Sequence, residues 1–100
     1  MIRQPTYYVA FFTTTFTSMD EVRTKAPEAL AAHIAKSKEL AAEGSLLMAG
    51  AFLDNPGEPI STMGVLTTME AAEAYAKGDP FVQNGLVSQW HIRPWANILD

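Results

Sequence analysis

Cysteine is absent from this chain of 100 residues, and histidine occurs only twice, at His33 and His91. Without cysteine there is no disulfide, no zinc–thiolate site and no cysteine nucleophile. The two histidines lie too far apart in the chain to form a local metal-binding motif. Neither GxGxxG nor GxxxxGK occurs, so a nucleotide-phosphate cradle is also excluded. We therefore expect neither a metal nor an organic cofactor.

Positive charge is scarce, with 7 Lys+Arg against 11 Asp+Glu and a net charge of −4. Such a chain does not attract a phosphate backbone, which disfavours nucleic acid as a partner. No apolar run approaches the roughly 20 residues that a membrane-spanning helix needs. The N-terminal region lacks the pattern of a signal peptide. We expect a cytoplasmic protein with no nucleic-acid or membrane partner.

Hydrophobic residues make up 48% of the chain, enough for one core, and the length suits one domain over residues 1–100. Apolar periodicity and turn residues predict the order β-α-β-β-α-β. The predicted strands span 7–16, 45–53, 60–67 and 86–95, and the predicted helices span 27–43 and 69–77. The polar stretch 17–26 is predicted to be a loop, with a short turn at most, where Ser18 and Glu21 fit a capping box.

This order predicts an α+β fold of the ferredoxin-like type, a four-stranded antiparallel sheet with two helices on one face. The first and second predicted strands carry apolar residues toward both faces, so we expect both faces to be covered. Because the helices cover one face only, the other face is predicted to pair with a second copy in a homodimer.

Turn and capping residues predict where the helices begin and end. Gly44 and Gly78 follow the two helical segments, so both are expected in the left-handed conformation. Thr67, three residues before Glu70, predicts a capping box that opens the second helix.

His33 lies at the centre of one face of the first helix. The residues that share this face at helical spacing are Leu30, His33, Ile34, Ser37, Leu40 and Ala41. Such a histidine is either a core residue with both nitrogens satisfied or a general acid or base at the floor of a pocket. Periodicity leaves both interpretations open.

Asp79 follows the second helix and precedes Pro80, an arrangement that favours a helix N-cap for residues 80–84. A carboxylate has two oxygens, so Asp79 could cap these residues and also orient a histidine. Ser37, one turn after His33, could face the same cavity, although a packing role is the simpler interpretation.

The last predicted strand carries the other histidine and both tryptophans. His91 shares a strand face with Gln89 and Arg93, which favours a solvated or interfacial position. Trp90 and Trp95 are typical of core or interface aromatics.

Three segments carry a resemblance to the YCII-related family. They are His33 on the first helix, GSLLMAG, and GDPFVQNGLVSQWHIRPW. The strongest matches within the last segment are Asp79-Pro80-Phe81, Gly85-Leu86 and Arg93-Pro94-Trp95, and the resemblance extends over about residues 7–96. It implies a dimeric α/β barrel with an acid–base site formed by His33 and Asp79. Ser37 and Phe81 are the candidate substrate contacts.

The resemblance also implies a function, because relatives of similar fold act on small cyclic or aromatic acids and enols without an organic cofactor. We expect cofactor-free proton transfer of the isomerase or lyase type, including dehydrochlorination, on a small-molecule substrate. Neutral His33 would remove a proton next to a carbonyl or hydroxyl, and Asp79 would hold the imidazole tautomer. The alternatives are a non-catalytic ligand-binding or regulatory homodimeric module, and a structural dimer whose pocket is only packing.

Overall fold

The computed structural model describes residues 6–99 and has a four-stranded antiparallel sheet with helices packed on one face. In chain order the elements are β1 (Thr6–Thr14), α1 (Met19–Lys25), α2 (Pro27–Ala42), β2 (Leu46–Ala51), β3 (Ser61–Leu66), α3 (Met69–Gly78), α4 (Pro80–Gln83) and β4 (Val87–Ala96). The sheet order is β2-β3-β1-β4. The predicted ferredoxin-like fold is confirmed, with α1 and α4 as additional short helices. Residues 1–5 and 100, which the expected single domain includes, lie outside the described residues.

The core lies between β1, β3 and α3. On β1, Ala10 and Phe12 point toward the helices, and Phe12 meets the ring of Tyr75 edge-on at 5.7 Å between centroids. Successive side chains of a strand alternate between faces. Val9 and Phe11 therefore point to the opposite face of the sheet. The larger buried cluster consists of Ala10, Phe12, Leu46, Leu66, Ala72, Tyr75 and Ala76.

The stretch predicted to be a loop contains α1, so that prediction was wrong. The Ser18 hydroxyl accepts a hydrogen bond from the Glu21 backbone N–H at 3.0 Å, as the capping box predicts. The Glu21 carboxylate in turn accepts from the Thr17 backbone N–H at 2.8 Å. Val22 is 4% exposed and packs in a second buried cluster with Phe16 and Phe81. One buried apolar side chain and a satisfied cap thus stabilise a helix that is otherwise polar.

The two helix-ending glycines differ. Gly44 has φ 83°, the left-handed conformation predicted for it. Gly78 is instead the last residue of α3 and has no positive φ, so the prediction for Gly78 was wrong. The chain leaves α3 at Asp79, whose extended backbone (φ −65°, ψ 131°) begins α4 directly.

The residue that caps α3 is Thr68, one position later than predicted. Its hydroxyl accepts from the Ala71 backbone N–H at 3.0 Å. Thr67 lies one residue before this cap, and its backbone N–H donates to the Ser45 carbonyl at 3.1 Å, at the end of the sheet.

Helix α2 is not buried against the sheet. None of its residues is buried, and on its predicted inward face Ile34 is 43% exposed and Ala41 is also exposed. The expectation that β2 is covered on both faces was wrong for the single chain, since Leu46 is buried but Met48 is 67% exposed. As the edge strand, β2 has a neighbour on one side only. A cavity lies between α2 and the sheet.

Candidate active site

The cavity between α2 and the sheet has a volume of about 330 Å³. Most of its wall is apolar. The aromatic side chains that line it include Phe12 on β1, Phe16 after β1 and Phe81 on α4. The polar residues that concern the site are His33, Ser37, Tyr75 and Asp79.

His33 and Asp79 are in direct contact in this cavity. His33 projects from α2, and Asp79 lies at the junction of α3 and α4, where α4 packs against α2. The His33 Nδ1 and Asp79 Oδ1 atoms form a hydrogen bond. The Asp79 side chain is buried, whereas 27% of the His33 side chain is exposed. The predicted contact is therefore present in the structure.

The second oxygen of Asp79 is also used. Asp79 Oδ2 accepts from the backbone N–H of Phe81 at 3.1 Å and from that of Val82 at 3.4 Å. Asp79 is thus the N-cap of α4, with Pro80 in the first helical position. Because cap bonds restrain one oxygen, the carboxylate cannot rotate away from His33 without uncapping α4.

This arrangement determines the tautomer of a neutral His33. An ionised carboxylate can only accept hydrogen bonds, so Nδ1 carries the proton. The other nitrogen, Nε2, then has a free lone pair on a ring that lines the cavity. A lone pair at this position can accept a proton from a bound molecule.

Two hydroxyl groups lie close to the dyad. The Ser37 Oγ is buried, and no residue among 6–99 forms a hydrogen bond with it. Tyr75, on α3, is 4% exposed. Burial raises the pKa of the Tyr75 hydroxyl above its ordinary value of 10.0; the nearby Ser37 hydroxyl partly opposes this shift, and the charge of Asp79 adds to it. Ser37 and Tyr75 are therefore neighbours, although their hydroxyls lack the geometry of a formed hydrogen bond.

Sequence reasoning did not single out Tyr75. The signal was available, because Ala72, Tyr75 and Ala76 form the buried stripe of α3 and Tyr75 is its one polar member. The tyrosine hydroxyl at such a position needs either a partner or a cavity.

Phe81 lines the cavity as expected for a substrate contact, but it also has clear packing partners. Its ring centroid lies 5.0 Å from that of His33, with a 43° tilt, and 6.4 Å from that of Phe16. The contact with His33 restrains the imidazole ring. A substrate-binding role for Phe81 stays a prediction.

The remaining candidates lie elsewhere. His91 stacks on Phe11 at 5.0 Å between ring centroids, on the sheet face opposite the helices. Trp90 is half-buried against the core, and Trp95 is 53% exposed. Within residues 6–99, no group of three or more His, Asp or Glu side chains is arranged to hold a metal ion.

The sequence model of the YCII-related domain matches residues 8–96 of the chain. No curated protein sequence matches it. Over residues 6–99, no helix is both long enough and apolar enough to cross a membrane.

Several solved structures share the fold. A 5-chloro-2-hydroxyhydroquinone dehydrochlorinase from Burkholderia phenoliruptrix, in complex with 2,5-dihydroxybenzoquinone, has a TM-score of 0.60 at 14% identity, over 89% of this chain and 92% of that one. A dimeric ferredoxin-like protein from an uncultured marine organism has a TM-score of 0.52 at 11% identity, over 98% and 91%. A cofactor-independent oxygenase from Streptomyces nogalater, SnoaB, has a TM-score of 0.50 at 11% identity, over 95% and 94%. At these identities the similarity shows the fold.

Proposed function

The chain belongs to the YCII-related domain family, and on that basis we propose that it is a small-molecule enzyme that performs cofactor-free proton transfer with His33 and Asp79. The observation that carries this proposal is the hydrogen bond from His33 Nδ1 to the buried Asp79 carboxylate at the wall of an apolar cavity. A histidine oriented by a carboxylate and open to a pocket on its other nitrogen is the arrangement of a general base.

The proposed step begins with substrate in the cavity. His33 Nε2 takes a proton from a carbon next to a carbonyl, or from a hydroxyl conjugated to a carbonyl through a C=C bond, and the electron pair of the broken bond is delocalised onto the carbonyl oxygen. Asp79 stabilises the imidazolium that forms. In an isomerase, the imidazolium returns the proton to a different atom. In a lyase such as a dehydrochlorinase, the electron pair expels the leaving group, and the proton is lost from the enzyme afterwards.

The dimensions of the cavity support a small, largely apolar substrate. A volume of about 330 Å³ lies at the small end of the range for ligand pockets, which suits a molecule with one ring. Aromatic walls favour a planar cyclic or aromatic acid or enol. The dihydroxybenzoquinone bound to the dehydrochlorinase of similar fold is a compound of this class.

We also propose that the protein is a homodimer that pairs through the open face of the sheet. A shallow depression on that face is lined by Val9, Phe11, Met63 and Trp95, among others. Trp95 is 53% exposed in the single chain, and large apolar side chains grouped on one face usually mark an interface. One solved protein of this fold is described as dimeric, which supports the proposal.

Proton transfer can be tested without knowing the natural substrate. The purified protein would be incubated in D2O with small cyclic enols, lactones and halogenated hydroquinones, including 2,5-dihydroxybenzoquinone. NMR would then follow deuterium uptake and chloride release. We expect at least one compound to react, and His33→Gln to abolish the reaction. The matched control is His91→Gln, which changes the other histidine outside the cavity and should retain the rate.

The outcomes separate the alternatives. Equal rates in His33→Gln and the wild type would refute the role of His33. Saturable binding without exchange would favour a non-catalytic ligand-binding module. Sedimentation equilibrium tests the assembly separately, since a folded monomer at micromolar concentration would contradict the homodimer.

A further inference from the structure

We propose that the Tyr75 hydroxyl, assisted by the Ser37 hydroxyl, binds the substrate oxygen on which negative charge develops when His33 takes a proton. This assignment rests on the proposed function for the proton transfer itself. It adds a substrate class, namely compounds in which a carbonyl or phenolic oxygen is conjugated to the reacting atom. Tyr75 would then be a catalytic residue, because its hydroxyl touches the reacting group.

The Tyr75 ring is packed closely against residues of β3 and β1. Gly64 of β3 lies beneath it, and a Cβ atom at that position would come within 2.9 Å of Tyr75 Cε2. Phe12 contacts the ring edge-on from β1. A ring held from two strands presents its hydroxyl at a fixed position, and such preorganisation is what stabilises developing charge.

The Ser37 hydroxyl has no partner within the described chain. A buried hydroxyl without a hydrogen bond is unfavourable, and buried polar groups in folded proteins almost always have a partner. An oxygen of a molecule bound in the cavity, or a small movement toward Tyr75, would give Ser37 a partner. A substrate oxygen placed between the two hydroxyls would accept from both.

Asp79 does not replace the substrate oxygen as the partner of the Tyr75 and Ser37 hydroxyls. Its Oδ1 is bonded to His33, and its Oδ2 accepts from the backbone N–H groups of Phe81 and Val82. Its negative charge also disfavours ionisation of Tyr75, as does burial of the ring. The phenol therefore stays protonated at neutral pH and remains a donor.

His33, Ser37 and Tyr75 all line the same cavity, so one bound molecule can contact them together. His33 and Ser37 are four residues apart on α2, so their Cβ atoms lie roughly 5–6 Å apart on the same helix face. The base and the assisting hydroxyl therefore lie on one face of α2 and line the same largely apolar cavity. A planar enol or phenol can reach both at once.

The test uses 4-nitrophenolate as a probe for an oxyanion and 4-nitroanisole as a probe with the same ring but no anionic oxygen. Binding of each to the whole protein would be measured by calorimetric titration. We expect Tyr75→Phe to weaken 4-nitrophenolate binding by about tenfold or more, the scale of a hydrogen bond to a charged group. Binding of 4-nitroanisole should change little. Ser37→Ala should show the same selectivity with a smaller effect.

The matched control is Tyr8→Phe, because Tyr8 packs against the same core but does not line the cavity. It should leave both affinities unchanged. Equal weakening of both probes by Tyr75→Phe would overturn the proposal and indicate a packing role. Unchanged affinities, or no saturable phenolate binding to the wild type, would also overturn it. Loss of exchange in His33→Gln is a separate readout, so the proposed function and this assignment can fail independently.

Discussion

Replacing Asp79 by asparagine is expected to reverse the tautomer of His33 while leaving α4 capped. The asparagine Oδ1 can still accept from the Phe81 backbone N–H, so its amide group must face His33. That group donates hydrogen bonds, and His33 Nδ1 has to become an acceptor. The imidazole proton then moves to Nε2, and the lone pair in the cavity is lost.

Substitutions of Asp79 are expected to affect stability and rate differently, because Asp79 both caps α4 and orients His33. Asp79→Asn keeps the cap, so we expect a loss of about 1 kcal/mol in the free energy of unfolding. Asp79→Ala loses the cap and leaves His33 Nδ1 and two backbone N–H groups without their partner, which predicts about 2–4 kcal/mol. The rate of any proton transfer should fall on the order of 10³-fold or more in Asp79→Asn, the scale associated with a wrong histidine tautomer.

The tautomer can be read without a substrate. Nitrogen-15 NMR of the imidazole distinguishes a protonated from an unprotonated ring nitrogen, and chemical denaturation gives the free energy of unfolding. Thr68→Ala is the matched control, because Thr68 caps α3 through Ala71 but does not line the cavity. Thr68→Ala should lower the free energy of unfolding by about 1 kcal/mol and leave the His33 tautomer unchanged.

Two results would refute the reasoning. If His33 of the wild type is protonated at Nε2 when neutral, the carboxylate does not set the tautomer. If Asp79→Asn retains the wild-type tautomer and rate, the contact between the two side chains is structural.

Three further predictions follow from the packing around the site. Above pH 10 the Tyr75 hydroxyl ionises in the unfolded chain, whereas the folded chain, in which its pKa is raised, retains the proton. The free energy of unfolding should therefore fall as pH rises through this range, and it should fall less steeply in Tyr75→Phe. Identical pH dependence of the two proteins in chemical denaturation would contradict this. Gly64→Ala should destabilise by about 1–3 kcal/mol, because the new Cβ meets the buried Tyr75 ring at 2.9 Å, and a neutral result would mean that the ring moves freely. Gly44→Ala should lower the free energy of unfolding by about 1 kcal/mol, because Gly44 has φ 83°, a conformation that a residue with a Cβ atom disfavours. Gly78→Ala should not destabilise the protein, because Gly78 ends a helix and a Cβ there meets only the end of the Lys36 side chain, at 3.4 Å. Thermal unfolding should show a lower Tm for Gly44→Ala and an unchanged or higher Tm for Gly78→Ala.

Local patterns in the sequence determined the element order and several of the residues that matter. The apolar strands and the alanine-rich helix are short-range signals, and so is the Ser18–Glu21 capping box. Such signals depend on neighbours within four residues, which is why they can be recognised in the chain alone. The same holds for Asp79 as the N-cap of α4, since an N-cap is followed by its own partners.

Other local signals were ambiguous until the chain was folded. Thr67 fits a capping box with Glu70 in the sequence, but in the fold the Thr67 backbone N–H pairs with the Ser45 carbonyl and the helix begins after Thr68. Helix α1 is polar enough to be a loop, and the burial of Val22 against Phe16 and Phe81 makes it a helix. Gly78 could end a helix in either conformation, and the immediate start of α4 removes the need for a left-handed residue.

The site itself depends on distances that only the tertiary structure sets. His33 and Asp79 are 46 residues apart in the chain, and they meet because α4 packs against α2. Periodicity placed His33 on an inward face but could not say whether that face was filled. The cavity exists because side chains do not fill the space between α2 and the sheet, and the distance of a helix from a sheet follows from side-chain packing across the whole layer. Tyr75 was identified as a candidate only from the tertiary structure for the same reason, since the role of a buried hydroxyl depends on which groups surround it.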